Sequence, residues 1–546
     1  MRPALPAALL AAPLLLAAPA LPPSKLSRPS LLLVISVDQL GADLLARYGR
    51  DLPGGLGMLQ REGIHFTAAY HDHAYTETGP GHSVLLSGRH PSHTGIPENN
   101  WKDPLTGRKL NCVEDARAPI LGRPPTVRGA SQALFRGTTL GDWLQAEVKG
   151  SRVFTVSGKD RASILLGGAR PTAAYWFEPG AGYTTSTAYA AKLPDWLAAH
   201  NAALMKRLRH DTWWWTPLAS TEGAARNGTY PTSQGTFRSG LPRQVNPAGM
   251  PLDEAFYNRF KGSPFFDEAT AEAAERLLDT EKLGQGEGTD LLAVGFSATD
   301  YVGHFYGNAG DEMVDQIRRL DALLGRFLAF VKARVPSVAV VLSADHGSAD
   351  LVERLAEQGY AARRVDSKAW LEQLNAALRK RLPLQADAVS FTSTPKNLYV
   401  REVPGAAREE ILREALALVR RMPEIALAST PAELEATEED PDPNPAGRSL
   451  KILLKHSCVS GRSGDILLVP KPYTVFSDDP PWLVQHGYPY DSDRRVPLIF
   501  WGPWQAGERK EPVRTVDLAP TLARELGLAP KEGLDGRALE LPRKPK

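Results

Sequence analysis

The 546-residue sequence is 42% hydrophobic and 23% charged, which supplies apolar material for a large core and excludes a disordered chain. Its formal net charge of +2, with no long basic stripe carrying interleaved aromatics, argues against a stable nucleic-acid partner. The length would accommodate two or more units, although large α/β enzymes also grow by inserting subdomains into one sheet.

The first element is a leader. After Arg2, residues Ala4 to Leu21 are rich in Ala and Leu, are interrupted by Pro6, Pro13 and Pro19, and contain Ala18-Pro19-Ala20, the small-x-small pattern of a signal-peptidase site. This predicts a signal peptide over 1–20, a linker over 21–30, and export to a periplasm or to the exterior. A membrane anchor is the competing reading. Prolines suit a helix poorly, and the run is short for a hydrocarbon core of about 30 Å, so no membrane span is expected after cleavage.

Apolar, β-branched runs follow at Leu31 to Val37, Arg152 to Val156, Leu291 to Phe296 and Val338 to Leu342, each ending shortly before a polar residue of chemical interest. They read as buried parallel strands. Between them, Met313, Ile317, Leu320, Leu324, Phe327 and Val331 recur at three- and four-residue steps and predict a helix from Asp311 to Val331. A last strand, Val496 to Trp501, and a helix around Asp517 to Leu526 are expected to close the core. The alternation predicts an α/β fold with a mostly parallel central sheet, helices on both faces, and a ligand site beyond the carboxyl ends of the strands. The domain is expected to span 31–546, with insertions near 172–288 and 351–473.

Six short places carry chemistry. Asp38, just after the first strand, is a hard ligand for a divalent cation or a helix N-cap. In Thr76-Glu77-Thr78-Gly79-Pro80-Gly81-His82 a hydroxyl precedes two glycines, and Ser83 to Leu86 reads as a helix start, an arrangement suited either to an exposed nucleophile facing an anion or to a simple turn. Asp300 and His304, four residues apart, share one face if Asp300 opens a helix. Asp345-His346-Gly347 ends a strand where the glycine lets both neighbours turn toward one cation. His486 lies in a loop-like stretch, where a histidine is ordinarily a surface residue. Lys159 and Arg161 share a face if the backbone is extended, and form either a phosphoryl-binding pair or a solvated turn. The three aspartates and three histidines together make two trios of O and N donors suited to zinc. Cys112 and Cys458 leave a disulfide open in an oxidising compartment, and without Cys-x-x-Cys spacing they make no metal site by themselves.

In this order Val37-Asp38, Thr78-Gly79-Pro80-Gly81-His82, Asn99-Asn100-Trp101, Lys159-Asp160-Arg161, Asp300-x-x-x-His304, Asp345-His346-Gly347 and His486-Gly487 resemble the phosphate-irrepressible alkaline phosphatases, in the type I phosphodiesterase/nucleotide pyrophosphatase-like branch of the alkaline phosphatase superfamily. The resemblance implies that Asp300, His304 and His486 hold one Zn²⁺ and that Asp38, Asp345, His346 and the Thr78 oxygen surround a second. It also implies that Thr78 forms a phosphothreonine intermediate while Lys159, Arg161 and Asn99 contact the non-bridging oxygens. Two cations and an amide match the dianion of a small phosphate monoester better than the single charge of a diester. The rivals are a phosphodiesterase or nucleotide pyrophosphatase on the same fold and, more remotely, a catalytically silent secreted binding protein. A sulfatase is disfavoured because the nucleophile position carries no Cys or Ser.

Overall fold

Every residue of Leu31–Val37 is buried, as a strand must be when helices cover both faces of its sheet. In the computed structural model, which describes residues 28–545 apart from 50, 104–105, 219–225, 233–234, 248–249, 441–443 and 478–481, this strand lies near the middle of a ten-stranded sheet. The expected signal peptide and most of the linker lie outside the described residues. The strands are β1 (Leu31–Val37), β2 (Ile64–Tyr70), β3 (Val153–Ser157), β4 (Ala173–Glu178), β5 (Gly182–Thr184), β6 (Asp290–Phe296), β7 (Val338–Ser343), β8 (Arg495–Trp501), β9 (Gly507–Arg509) and β10 (Val513–Arg514). Their order is β9-β2-β8-β7-β1-β6-β3-β4-β5, with β10 also paired to β2.

From β7 through β1, β6 and β3 to β4 all pairings are parallel. Strand β8, the expected last strand, enters antiparallel between β7 and β2. The sheet is therefore mostly parallel, as its apolar runs predict. Side chains alternate between two cores. Leu33, Ile35, Leu292, Val294 and Leu342 pack on one face with helices α1 (Gly55–Glu62), α5 (Pro264–Glu281) and α7 (Asp311–Lys332). Leu32, Val34, Leu291, Ala293 and Val341 pack on the other with α3 (Leu140–Glu147) and α8 (Leu518–Leu526). All six periodic apolar residues of α7 are buried.

Strand pairing shows how the two interrupting stretches relate to the central sheet. Strands β4 and β5 belong to the central sheet, so the chain leaves that sheet after Thr184 and not near residue 172. A separate four-stranded sheet of Val389–Ser390, Asn397–Val400, Ile425–Ser429 and Ile466–Pro470 has its own core, in which Trp370, Leu374 and Leu378 meet Ile411, Ala415 and Leu468. Cys112 and Cys458 are both free thiols. Burial pushes the Cys112 thiol up to about 12, which keeps it protonated.

Candidate active site

Strands β1, β6, β3 and β7 end on one side of the sheet, and each delivers a polar residue there within four positions. Asp38 follows β1 and its N–H donates to the Phe296 carbonyl of β6 at 2.9 Å. Asp300 lies in the first turn of helix α6 (Ala298–Tyr306), with His304 in the last. Asp345 Oδ1 accepts from the backbone N–H groups of Gln39 at 3.1 Å and His346 at 3.0 Å, which fixes the carboxylate.

Two donor groups result. His304 Nε2 lies 3.4 Å and His486 Nε2 lies 3.5 Å from Asp300 Oδ1. His346 Nε2 lies 3.5 Å from Asp38 Oδ1 and 3.4 Å from Asp345 Oδ2. Each of these imidazoles has its Nδ1 on a backbone carbonyl: His304 on Val484 at 2.5 Å, His346 on Gly347 at 3.0 Å and His486 on Thr76 at 2.9 Å. A carbonyl only accepts, so Nδ1 carries the hydrogen and Nε2 presents a lone pair to the carboxylates. The loop histidine His486 is buried, unlike an ordinary loop histidine, because this carbonyl bond and the packing of its ring on His346 at 3.7 Å draw it inward.

The charges conflict unless cations are present. Asp38, Asp300 and Asp345 are all buried and face one ammonium, with Lys159 Nζ 2.7 Å from Asp38 Oδ2 and 2.5 Å from Asp300 Oδ2. Burial, reinforced by Asp345, pushes the Asp38 carboxyl well above the usual range. Burial opposes the charge of Asp300 too, but Lys159 and His304 overcome it and hold that carboxyl well below its usual value. Burial lowers His304 to about 4, so its ring is neutral and able to act as a ligand. Asp38 Oδ1, Asp300 Oδ1 and His346 Nε2 are buried without a hydrogen-bond partner. Such orphaned O and N atoms, with two carboxylates in surplus over the one ammonium, fit divalent cations held by mixed Asp/His sets.

Thr78 opens helix α2 (Thr78–Leu85). The helix therefore begins five residues before the expected Ser83. Pro80 permits this because a first-turn N–H has no intrahelical acceptor in any case. Gly81 is required by contact: a Cβ there would lie 2.1 Å from the Asp345 carbonyl oxygen. His82 ties the helix to β1, with Nδ1 2.9 Å from the Thr78 carbonyl and Nε2 3.0 Å from Ser36 Oγ.

A cleft of about 340 Å³ opens over Thr78 and is lined by Asn99, Lys159, Arg161, Asp300, His304 and His486 among others. Lys159 Nζ is 3.4 Å from Thr78 Oγ1. Lys159 caps a helix, α4 (Asp160–Gly167), and Arg161 lies in its first turn. The two cations thus converge through a helix start and not through the extended backbone expected. Arg161 is held at 3.3 Å by Asp160, which Arg128 pins from behind, while Arg161 Nε is buried without a partner. Asn99 Oδ1 accepts from the Gly79 N–H at 2.7 Å, which turns its amide nitrogen away from α2.

The sequence reading missed the opposite wall. The Asn99 N–H donates at 2.6 Å to Glu77 Oε2, and the other Glu77 oxygen is paired with Lys396. Lys396 immediately precedes a strand of the four-stranded sheet and lines the cleft with Glu98, Thr392 and Thr394. Nothing local in Pro395-Lys396-Asn397 marks a site residue; only the tertiary fold brings Lys396 beside Glu77.

A mostly parallel sheet whose strand ends gather two Asp/His groups, with the Thr78 hydroxyl, Lys159 and Arg161 in the same cleft, defines the class: an α/β fold of the alkaline phosphatase type with candidate metal-binding groups. The chain belongs to the type I phosphodiesterase/nucleotide pyrophosphatase family, whose model matches residues 32–489. It is 35% identical over 525 residues to the alkaline phosphatase PhoK of Sphingomonas sp., covering 94% of this chain and 91% of that relative. It is 34% identical over 521 residues to the alkaline phosphatase PhoD of Zymomonas mobilis, covering 94% and 88%. The crystal structure of wild-type alkaline phosphatase PafA superposes with a TM-score of 0.82 at 25% identity, covering 94% of this chain and 99% of that one.

Proposed function

We propose that this protein is a metal-dependent alkaline phosphatase that hydrolyses small phosphate monoesters through a phosphothreonine intermediate on Thr78. The observation that carries the reading is that Lys159 and Arg161 line the same cleft as Thr78, beside two Asp/His donor groups. The similarity to named alkaline phosphatases over nearly the whole chain supports it.

Asp300, His304 and His486 would hold one zinc ion, and Asp38, Asp345 and His346 with Thr78 Oγ1 the other. Divalent ions held by these residues would supply Lewis-acid stabilisation of negative charge during phosphoryl transfer. Thr78 Oγ1 attacks phosphorus in line as the bond to the alcohol oxygen breaks, and the alcohol departs with a proton. Water then attacks the phosphothreonine from the vacated side, releasing inorganic phosphate and restoring the Thr78 hydroxyl. Arg161 and the Asn99 amide grip non-bridging oxygens, where an additional negative charge distinguishes a monoester from a diester. Lys159 reaches both Thr78 Oγ1 and the carboxylates, so it serves the same phosphoryl group from the metal side.

The N-terminal pattern supports export, and among the described residues no helix is long and apolar enough to cross a membrane. The test is the ratio of kcat/KM for para-nitrophenyl phosphate over bis-para-nitrophenyl phosphate with zinc-loaded protein. A ratio well above one is expected; a ratio well below one assigns the chain to the phosphodiesterases of its family.

A further inference from the structure

A second cluster of buried histidine and aspartate lies outside the cleft. Asp72 follows β2, His90 precedes the short helix Pro91–Thr94, and His456 sits in the last turn of the helix Leu450–Ser457. All three are buried, and none lines the cleft at Thr78. They border a separate cavity of about 670 Å³ that also reaches Glu439, Arg514 and Asp535.

The donors converge on one carboxylate oxygen. His90 Nε2 is 3.4 Å and His456 Nδ1 is 3.7 Å from Asp72 Oδ2. The two rings stack with centroids 3.8 Å apart and planes 14° from parallel, so both present a nitrogen to that oxygen from one side. His90 Nε2 is buried and has no hydrogen-bond partner. The far nitrogen of each ring faces a carboxylate: His456 Nε2 is 3.1 Å from Glu439 Oε2, and His90 Nδ1 is 3.6 Å from Asp535 Oδ2. The Glu439 carboxylate behind His456 accepts the hydrogen of that ring's Nε2, the outer arrangement that metal-ligating histidines carry, while Asp535 Oδ2 accepts from the His90 backbone N–H at 2.7 Å and lies 2.8 Å from His93 Nδ1. Arg448 orients the carboxylate as a fork, with Nε 3.1 Å from Asp72 Oδ1 and Nη2 3.4 Å from Oδ2. Arg514 stands 4.0 Å from that oxygen and is itself matched by Asp517 at 2.8 Å. His456 Nδ1 donates to the Asp72 carbonyl at 2.6 Å, a hydrogen bond that a metal ion at this nitrogen would replace.

We propose that Asp72, His90 and His456 form a third divalent-metal site, structural in role and suited by its two nitrogens and one oxygen to zinc or a similar transition ion, with the remaining coordination position open to the cavity. It joins three parts of the chain: the segment leading from β2 to Thr78, the helix at 450–457, and, through Asp535, the C-terminal region. His71, beside Asp72, bonds the Ala344 carbonyl at 3.0 Å, next to Asp345, so the clip also steadies the segment that carries the active-site carboxylate.

The test is metal content by elemental analysis after zinc loading and removal of free ion, comparing the native protein with the His90→Gln/His456→Gln double variant. A drop of one equivalent is expected in the variant, with a lower zinc-dependent melting temperature. It is the difference that decides, so a wrong count at the active site would shift both totals and leave it intact. Equal content in the two proteins overturns the site and leaves an ion-pair network. Should the double variant fail to fold, cobalt is added to an Asp300→Asn/Asp345→Asn variant in which the second cluster is intact. Visible bands of a four-coordinate cobalt ion are then expected, and a spectrum of hexaaqua cobalt alone refutes the site.

Discussion

At the ends of β1, β3, β6 and β7 the site residues stand within four positions of a central strand, whereas Lys396, Thr392 and Thr394 reach the same cleft from a four-stranded sheet that shares no strand with the central one. The floor is fixed by the strand ends, where backbone hydrogen bonds hold Asp38 and Asp345 in place. The opposite wall acts through contacts between subdomains, of which the Lys396–Glu77 pair is the clearest. On the proposed reading the floor supplies the chemistry, and the wall orients the group, Asn99, that completes it. Substitutions on the two sides should differ in kind as well as size.

The largest effect is expected on the floor. Thr78→Ala should lower monoester turnover on the order of 10⁴-fold or more while zinc content stays near that of the native protein. Asp300→Ala should instead lose zinc and activity together, and chelation of the native protein should reproduce that loss; activity that persists after complete removal of metal breaks the account of the floor. Next, Arg161→Ala and Lys159→Ala should each reduce kcat/KM for the monoester roughly 10²- to 10³-fold, with a much smaller effect on the diester. Equal losses on both substrates would remove the charge-matching argument.

The wall should respond more weakly in rate and more strongly in stability. Lys396→Met leaves the largely buried Glu77 carboxylate without its cation, holding only the Asn99 N–H, a change that costs up to about 3–5 kcal/mol when a buried pair is broken on one side, while kcat falls only about tenfold as Asn99 loosens. A Lys396→Met/Glu77→Gln double variant should recover most of the stability without recovering the rate. The smallest effect concerns Glu98, whose carboxyl burial, with Glu77 nearby, pushes up to about 8. Between its ordinary value and about 8 the folded state holds the proton that the unfolded state has lost, so stability falls as pH rises through that window and is flat above it. Glu98→Gln should accordingly melt higher than the native protein near pH 9 and equally near pH 4, as followed by circular dichroism.

The same division explains what could be read from the sequence. The positions of Asp38, Asp300, Asp345 and Lys159 beyond the strand ends were legible because buried parallel strands are continuous apolar runs and these polar residues follow within four positions. The start of α2 was misplaced because Gly79-Pro80-Gly81 has low intrinsic helix propensity; the close approach to Asp345, which no side chain at position 81 would allow, explains why a glycine stands inside the helix. His486 carried no local sign of burial, and its place came from the family pattern. Lys396, Glu77 and the Asp72–His90–His456 cluster have no spacing signature. Asp72 and His456 come together across 384 positions and Lys396 meets Glu77 across 319.

The most direct test of the central claim is to trap the intermediate. Zinc-loaded protein turning over a monoester is quenched in acid and its peptides are sequenced by mass spectrometry. The account predicts a phosphoryl group on Thr78 and none in Thr78→Ala; phosphorylation of another residue, or turnover by Thr78→Ala at the native rate, would contradict it.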